Sequence, residues 1–291
     1  MNFKRTLIAA SILSFYSAST SADIIIGSDL NSNAGSNHTI NALYSGNRGT
    51  NGGGDQSLQF GDNLMGTNYA DVIIGGLGID VLFGHGGNDV LIGGTEDFNS
   101  ANRDRAFGNE GDDIFIWTPG DGNDFFDGGA GTDVLIIGLV GESQDNDGST
   151  EDAPFFNVTL PPKKGSKDFD GIYLNPNTNL PVVDVVNGPG FCDVLDRATS
   201  DIGTLNLDHL VRFTLTGPAN IFDETLAADP SIPPESLDTG LRVAVHLKNT
   251  EFVVCGSRDG DEIDVFDLRY SPVTKTTVDY LPADAYGLMH Y

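Results

Sequence analysis

The tightest constraint on this chain is a spacing. Aspartate recurs every nine residues at Asp62, Asp71, Asp80 and Asp89, then again from Asp104 to Asp113 and from Asp124 to Asp133. The two irregular steps, of 15 and 11, are the same unit with insertions of six and two residues. The residue two places after each aspartate is Leu64, Ile73, Leu82, Leu91, Ala106, Phe115, Phe126 or Leu135, and all are apolar. The three residues that follow each aspartate, such as Val81-Leu82-Phe83, suit a brief strand with its middle side chain turned inward. The first six residues of each unit, ending in the aspartate, are mostly Gly, Asn and Asp, which suit a tight turn with positive φ. Strand and turn in alternation wind into a parallel β-roll with two units per coil. One unit cannot bury its apolar face alone, whereas a stack can.

Glycines precede the aspartates in clusters. Gly75-Gly76-Leu77-Gly78-Ile79-Asp80 and Gly128-Gly129-Ala130-Gly131-Thr132-Asp133 are the fullest. Partial versions lead to Asp89, with Gly87, and to Asp113 and Asp124; the units at Asp62 and Asp104 lack the glycines, and the Asp71 unit keeps only Gly66. Over residues 57–136 this resembles the repeats-in-toxin (RTX) nonapeptide Gly-Gly-x-Gly-x-Asp-x-U-x, where U is a large apolar residue. The resemblance implies a roll that folds on binding calcium.

The same expectation follows from the stacking. Turns lie over one another at 18 residues plus insertions, which pairs Asp62 with Asp80, Asp71 with Asp89, Asp80 with Asp104, Asp89 with Asp113, Asp104 with Asp124 and Asp113 with Asp133. Carboxylates and glycine carbonyls then converge on each gap, an all-oxygen setting that suits calcium better than magnesium or zinc. The expected ligands are these eight aspartates with Gly76, Gly78, Gly87, Gly129 and Gly131. One ion per pair gives about six calcium ions. Stacked carboxylates ~5 Å apart repel, so residues 57–136 are expected to be largely unfolded without calcium.

The charge fits this placement. The chain of 291 residues has a net charge of −27, which disfavours nucleic acid and anionic membranes as partners. Residues 57–136 hold 14 acids and only two bases, Arg103 and Arg105. About six divalent ions would offset that excess.

Met1 to Ala22 reads as a secretory signal peptide: Lys4 and Arg5, a short apolar run from Leu7 to Tyr16, then small residues at Thr20-Ser21-Ala22. The run is too short for a membrane span, and no other segment is apolar enough for one. An exported protein is expected, with periplasm, medium and cell surface all open as destinations. In that setting Cys192 and Cys255 are expected to form one disulfide.

Residues 23–56 are rich in Gly, Asn and Ser and read either as a leader or as a degenerate start of the roll, with a strand at Ile24-Ile25-Ile26. The roll is expected over 57–137, followed by an acidic linker over 138–152. Residues 153–291 carry alternating runs at Phe156–Leu160, Arg212–Leu215, Arg242–Leu247, Glu251–Cys255 and Glu262–Phe266. Together they suggest a β-sandwich-like C-terminal domain, with a short helical stretch over 221–228. The expected fold class is all-β.

Enzyme signatures are sparse. Neither a zinc-protease H-E-x-x-H nor a G-x-S-x-G elbow occurs. Asp208-His209 is a lone dipeptide, and Asp259, Asp261, Glu262 and Asp264, which lack EF-hand spacing, read either as a solvated hairpin turn or as a further calcium loop. The leading reading is a non-enzymatic binding, adhesion or matrix module with a polysaccharide or protein partner. The alternative is a secreted hydrolase or lyase whose active site sits in 153–291.

Overall fold

The apolar triplet after each repeat aspartate is a strand in the computed structural model, which describes residues 22–26, 38–40, 62–75, 80–93, 103–118, 123–140, 178, 180–185, 192–214, 242–256 and 262–290. In chain order the strands begin with β1 (Ile24–Ile26), β2 (His38–Ile40), β3 (Asp62–Met65), β4 (Val72–Ile74), β5 (Val81–Gly86) and β6 (Val90–Ile92). Next come β7 (Arg105–Glu110), β8 (Ile114–Trp117), β9 (Phe125–Ala130), β10 (Val134–Ile137), β11 (Leu139–Val140), β12 (Val183–Asp184) and β13 (Cys192–Asp196). The remainder are β14 (His209–Thr214), β15 (Arg242–Lys248), β16 (Phe252–Gly256), β17 (Ile263–Asp267), β18 (Thr274–Thr276) and β19 (Met289–His290), with one short helix, α1 (Ala283–Leu288).

Successive repeat strands alternate between two sheets. Sheet I runs β1-β4-β6-β8-β10-β16-β17-β18, and sheet II runs β2-β3-β5-β7-β9-β15-β14-β13. From β1 to β16 and from β3 to β15 the neighbours are parallel. This is the winding of a parallel β-roll, with two units per coil. The apolar position of every unit points between the sheets: Leu64, Ile73, Leu82, Leu91, Ala106, Phe115, Phe126 and Leu135 are all fully buried in one cluster. Phe115 of sheet I and Phe126 of sheet II stack across that core at 5.4 Å.

The roll reaches beyond its repeats at both ends. Ile24-Ile25-Ile26 pairs in parallel with β4, Ile24 opposite Val72, so residues 23–26 act as a degenerate first unit. At the other end β15 and β16 add a further coil in parallel register, His246 opposite Phe125 and Phe252 opposite Val134. Only then do the sheets turn antiparallel, through β14 and β13 on one and β17 and β18 on the other. The C-terminal strands thus face each other as in a sandwich, but in sheets continuous with those of the roll. A disulfide joins Cys192 of β13 to Cys255 of β16 and links sheet II to sheet I.

Sheet I is covered on its outer face as well. Val72, Ile74, Val90, Ile92, Ile114, Ile116, Val134 and Ile136 form a second core. Leu281, Ala285 and Leu288 around α1, and Val140 and Val183 of the small sheet β11-β12-β19, pack onto it. Leu139 and Val140 of the expected linker are therefore strand. The signal-peptide reading over 1–22, Phe156–Leu160 and the helical stretch over 221–228 fall outside the described residues, apart from Ala22.

Candidate metal centre

Each coil turns twice, so the repeat aspartates line two edges of the roll. On the first edge stand Asp71, Asp89, Asp113 and Asp133, at the turns from sheet II into sheet I. On the second stand Asp80, Asp104 and Asp124. All seven are buried.

Every rung joins the next in the same way. The amide of Asp71 donates to Oδ1 of Asp89 at 2.7 Å, Asp89 to Asp113 at 2.8 Å, and Asp113 to Asp133 at 2.8 Å. On the second edge Asp80 donates to Asp104 at 2.6 Å and Asp104 to Asp124 at 2.9 Å. Five of the six expected stacking pairs are thus in direct contact. The side chain of Asp62, and Gly76 and Gly78, lie outside the described residues.

Two residues absent from the expected ligand set extend the first ladder. Asp23 donates its amide to Oδ1 of Asp71 at 2.6 Å. At the far end Oε2 of Glu251 accepts the amide of Asp133 at 2.8 Å. Asp23 carries a legible signal, since Asp23-Ile24-Ile25-Ile26 has the aspartate and the apolar residue two places on. Glu251 precedes an apolar strand, but it stands 118 residues beyond Asp133, and no spacing connects them.

The second carboxylate oxygen is where the chemistry concentrates. Oδ2 of Asp71 accepts from the amide and hydroxyl of Thr67. Oδ2 of Asp89, Asp113 and Asp133 is buried and has no hydrogen-bond partner among the described residues. Each lies against the glycine five residues earlier. A Cβ on Gly84 would stand under 3.0 Å from both Asp89 Oδ2 and the Gly108 carbonyl oxygen. The same holds at Gly108, for Asp113 Oδ2 and the Gly128 carbonyl, and at Gly128, for Asp133 Oδ2 and the Asn249 carbonyl. A carboxylate oxygen and a main-chain oxygen of the next coil thus converge in each turn. Gly84, Gly108 and Gly128 were not among the expected ligands. Their signal is the constancy of glycine five places before Asp71, Asp80, Asp89, Asp113 and Asp133.

Among the expected glycines, Gly87, Gly129 and Gly131 take positive φ, as does Gly111. They bend the turns so that carbonyls stack coil on coil, with Gly131 pressed against the Gly111 carbonyl.

Burial without counter-charge disfavours ionisation. It pushes the carboxyls of Asp89 and Asp133 up to about 8 and that of Asp113 up to about 6. The amide bonds to Oδ1 oppose this, and neighbouring carboxylates add to it. Glu251 is raised by the same burial. Among the described residues no three His, Cys, Asp or Glu side chains gather as a metal-holding group. A cation in these turns would therefore meet one or two carboxylates and main-chain carbonyls, the donor set of a hard ion such as calcium.

Residues 65–97 and 120–136 match the model of the RTX calcium-binding nonapeptide repeat, in four copies. The chain carries RTX calcium-binding repeats. Asp104 and Asp113 lie between the two matched segments and stand in register with them, so the RTX roll is continuous across the gap. No curated protein and no solved structure matches the chain.

Two of the other acids singled out in the sequence are engaged elsewhere. Asp208 pairs with Arg197 at 2.7 Å and accepts the amide of Asn249. Asp264 pairs with Lys275 at 2.6 Å. Asp259 and Asp261 lie outside the described residues. His246 sets its ring Nδ1 3.2 Å from the Asp124 carbonyl oxygen, and burial lowers its pKa. Among the described residues no helix is long and apolar enough to cross a membrane.

Proposed function

We propose that this is an exported calcium-binding protein whose roll takes its folded form when calcium enters the stacked turns. The observation that carries this reading is the repeated pairing of a buried, unpartnered aspartate oxygen with a carbonyl of the next coil, at Asp89, Asp113 and Asp133. Two acceptors facing each other repel, and a cation turns that repulsion into ligation. The calcium ligands are these aspartates and the turn carbonyls beside Gly87, Gly129 and Gly131. By the same stacking Asp62, Asp71, Asp80, Asp104 and Asp124, with Gly76 and Gly78, complete a set of about six ions. Export is supported by the disulfide, which suits an oxidising compartment. Calorimetric titration of the chelated protein tests the reading: uptake of several calcium ions per chain is expected, and no binding at millimolar calcium would sink it.

The role we infer is non-enzymatic binding or adhesion. It is supported by the structural use made of Asp208, the acid of the lone Asp-His dipeptide, which is held in an ion pair with Arg197. A polysaccharide partner is favoured by half-buried rings on the outward face of sheet II. Phe83, Phe107 and Phe125 cross three adjacent strands with centroids 5.1 and 5.7 Å apart. Arg105 and Asp127 flank them on that face. Rings offer flat apolar contact to sugar faces, and the charged neighbours offer hydrogen bonds.

A further inference from the structure

The coil formed by β15 and β16 has no nonapeptide, yet its turn copies the atoms of a repeat turn. In the repeats Val90 donates its amide to the Asp71 carbonyl, Ile114 to that of Asp89 and Val134 to that of Asp113, at 2.8 to 2.9 Å. The amides of Phe252 and Glu251 both donate to the Asp133 carbonyl, at 3.1 and 2.9 Å, and Phe252 stands opposite Val134, which puts Glu251 in the aspartate position. Glu251 Oε2 accepts the Asp133 amide as Asp133 Oδ1 accepts that of Asp113. The Asn249 carbonyl faces Gly128 where the Gly128 carbonyl faces Gly108. Asn249 holds positive φ at 45°, and its side chain donates to Asp127 at 2.7 Å, which anchors this shorter turn. Into the gap points Oδ2 of Asp133, fully buried and without a hydrogen-bond partner among the described residues.

We propose that the first edge ends in a calcium site built from Asp133, Glu251 and the Asn249 carbonyl, which clamps residues 242–256 onto the repeat array. The inference rests on the calcium reading of the roll and adds a ligand from outside the repeats. Its consequence is that calcium also orders the C-terminal strands, because β15 and β16 carry β14, β13, β17 and β18 on their far sides.

The test uses the full chain and calcium alone. Glu251→Gln keeps an oxygen for the Asp133 amide but removes the charge, and equilibrium dialysis should count one fewer ion per chain than in the wild type. Hydrogen exchange on the wild type gives a readout free of any folding defect. Amides of 249–256 should gain protection in calcium together with those of 128–133. Equal stoichiometry and affinity in Glu251→Gln, or protection of 249–256 that ignores calcium, overturns the clamp while leaving the rest of the roll intact. A wild type that takes up no calcium overturns the clamp and the reading of the roll together.

Discussion

Asp89, Asp113 and Asp133 each divide their work between two oxygens. Oδ1 takes an amide from the preceding coil, and Oδ2 faces a carbonyl of the following one. The first role survives in an asparagine and the second does not. Asp113→Asn should therefore leave the ladder hydrogen bond while raising the calcium concentration needed for folding several-fold, measured by calcium titration of the circular dichroism signal. Asp113→Ala should cost a further ~1–3 kcal/mol, because the buried Asp89 amide loses its acceptor. The pH dependence follows from the same oxygens. The folded values of Asp89, Asp113 and Asp133 lie above the ordinary 3.8, at about 8, 6 and 8. Protonation thus favours the folded roll when calcium is withheld. In chelator, their contribution to stability is full below pH 3.8 and is lost as pH rises through about 6 and then about 8. Calcium affinity should rise over the same window, since binding displaces protons. The β signal of circular dichroism in chelator should be larger at pH 5 than at pH 8, and the reverse order would contradict this assignment.

At the level of the element, much was legible in the sequence. The nine-residue period located β3 to β10, and the apolar residue two places after each aspartate proved to be the core. A further distinction was present but unread. The sheet I triplets Val72-Ile73-Ile74, Val90-Leu91-Ile92, Ile114-Phe115-Ile116 and Val134-Leu135-Ile136 are apolar throughout. Those of sheet II include Asn63, Arg105 and Asp127. Parallel strands buried on both faces read as unbroken apolar runs, and α1 with the small sheet supplies the second cover. The turns make an equally specific claim. At Gly108 a methyl group would collide with Asp113 Oδ2 and the Gly128 carbonyl. Gly108→Ala should destabilise the roll by about 1–3 kcal/mol and weaken calcium binding. Gly287 lies in α1 with nothing near its missing side chain, so Gly287→Ala should be neutral or stabilise by about 0.5–1 kcal/mol. Denaturant unfolding in calcium separates the two.

For the whole molecule, the lesson lies at the ends of the roll. Asp23 was half-legible, because its unit keeps the aspartate and the apolar position. The coil of β15 and β16 was not legible as part of the roll. Its turn is cut to Asn249-Thr250-Glu251, its acid is a glutamate, and more than a hundred residues separate it from the last repeat. Register across a sheet is a spatial fact that no local period encodes. The disulfide belongs to this scale too, since it joins the two sheets next to the terminal coil. Replacing Cys192 and Cys255 by Ser should lower stability in calcium by ~2–4 kcal/mol, read from denaturant midpoints. The central claim is that calcium and folding are one event in this roll. Far-ultraviolet circular dichroism of the full chain at neutral pH tests it most directly. The account predicts loss of most β signal in chelator and its recovery on adding calcium. A spectrum indifferent to both would contradict it.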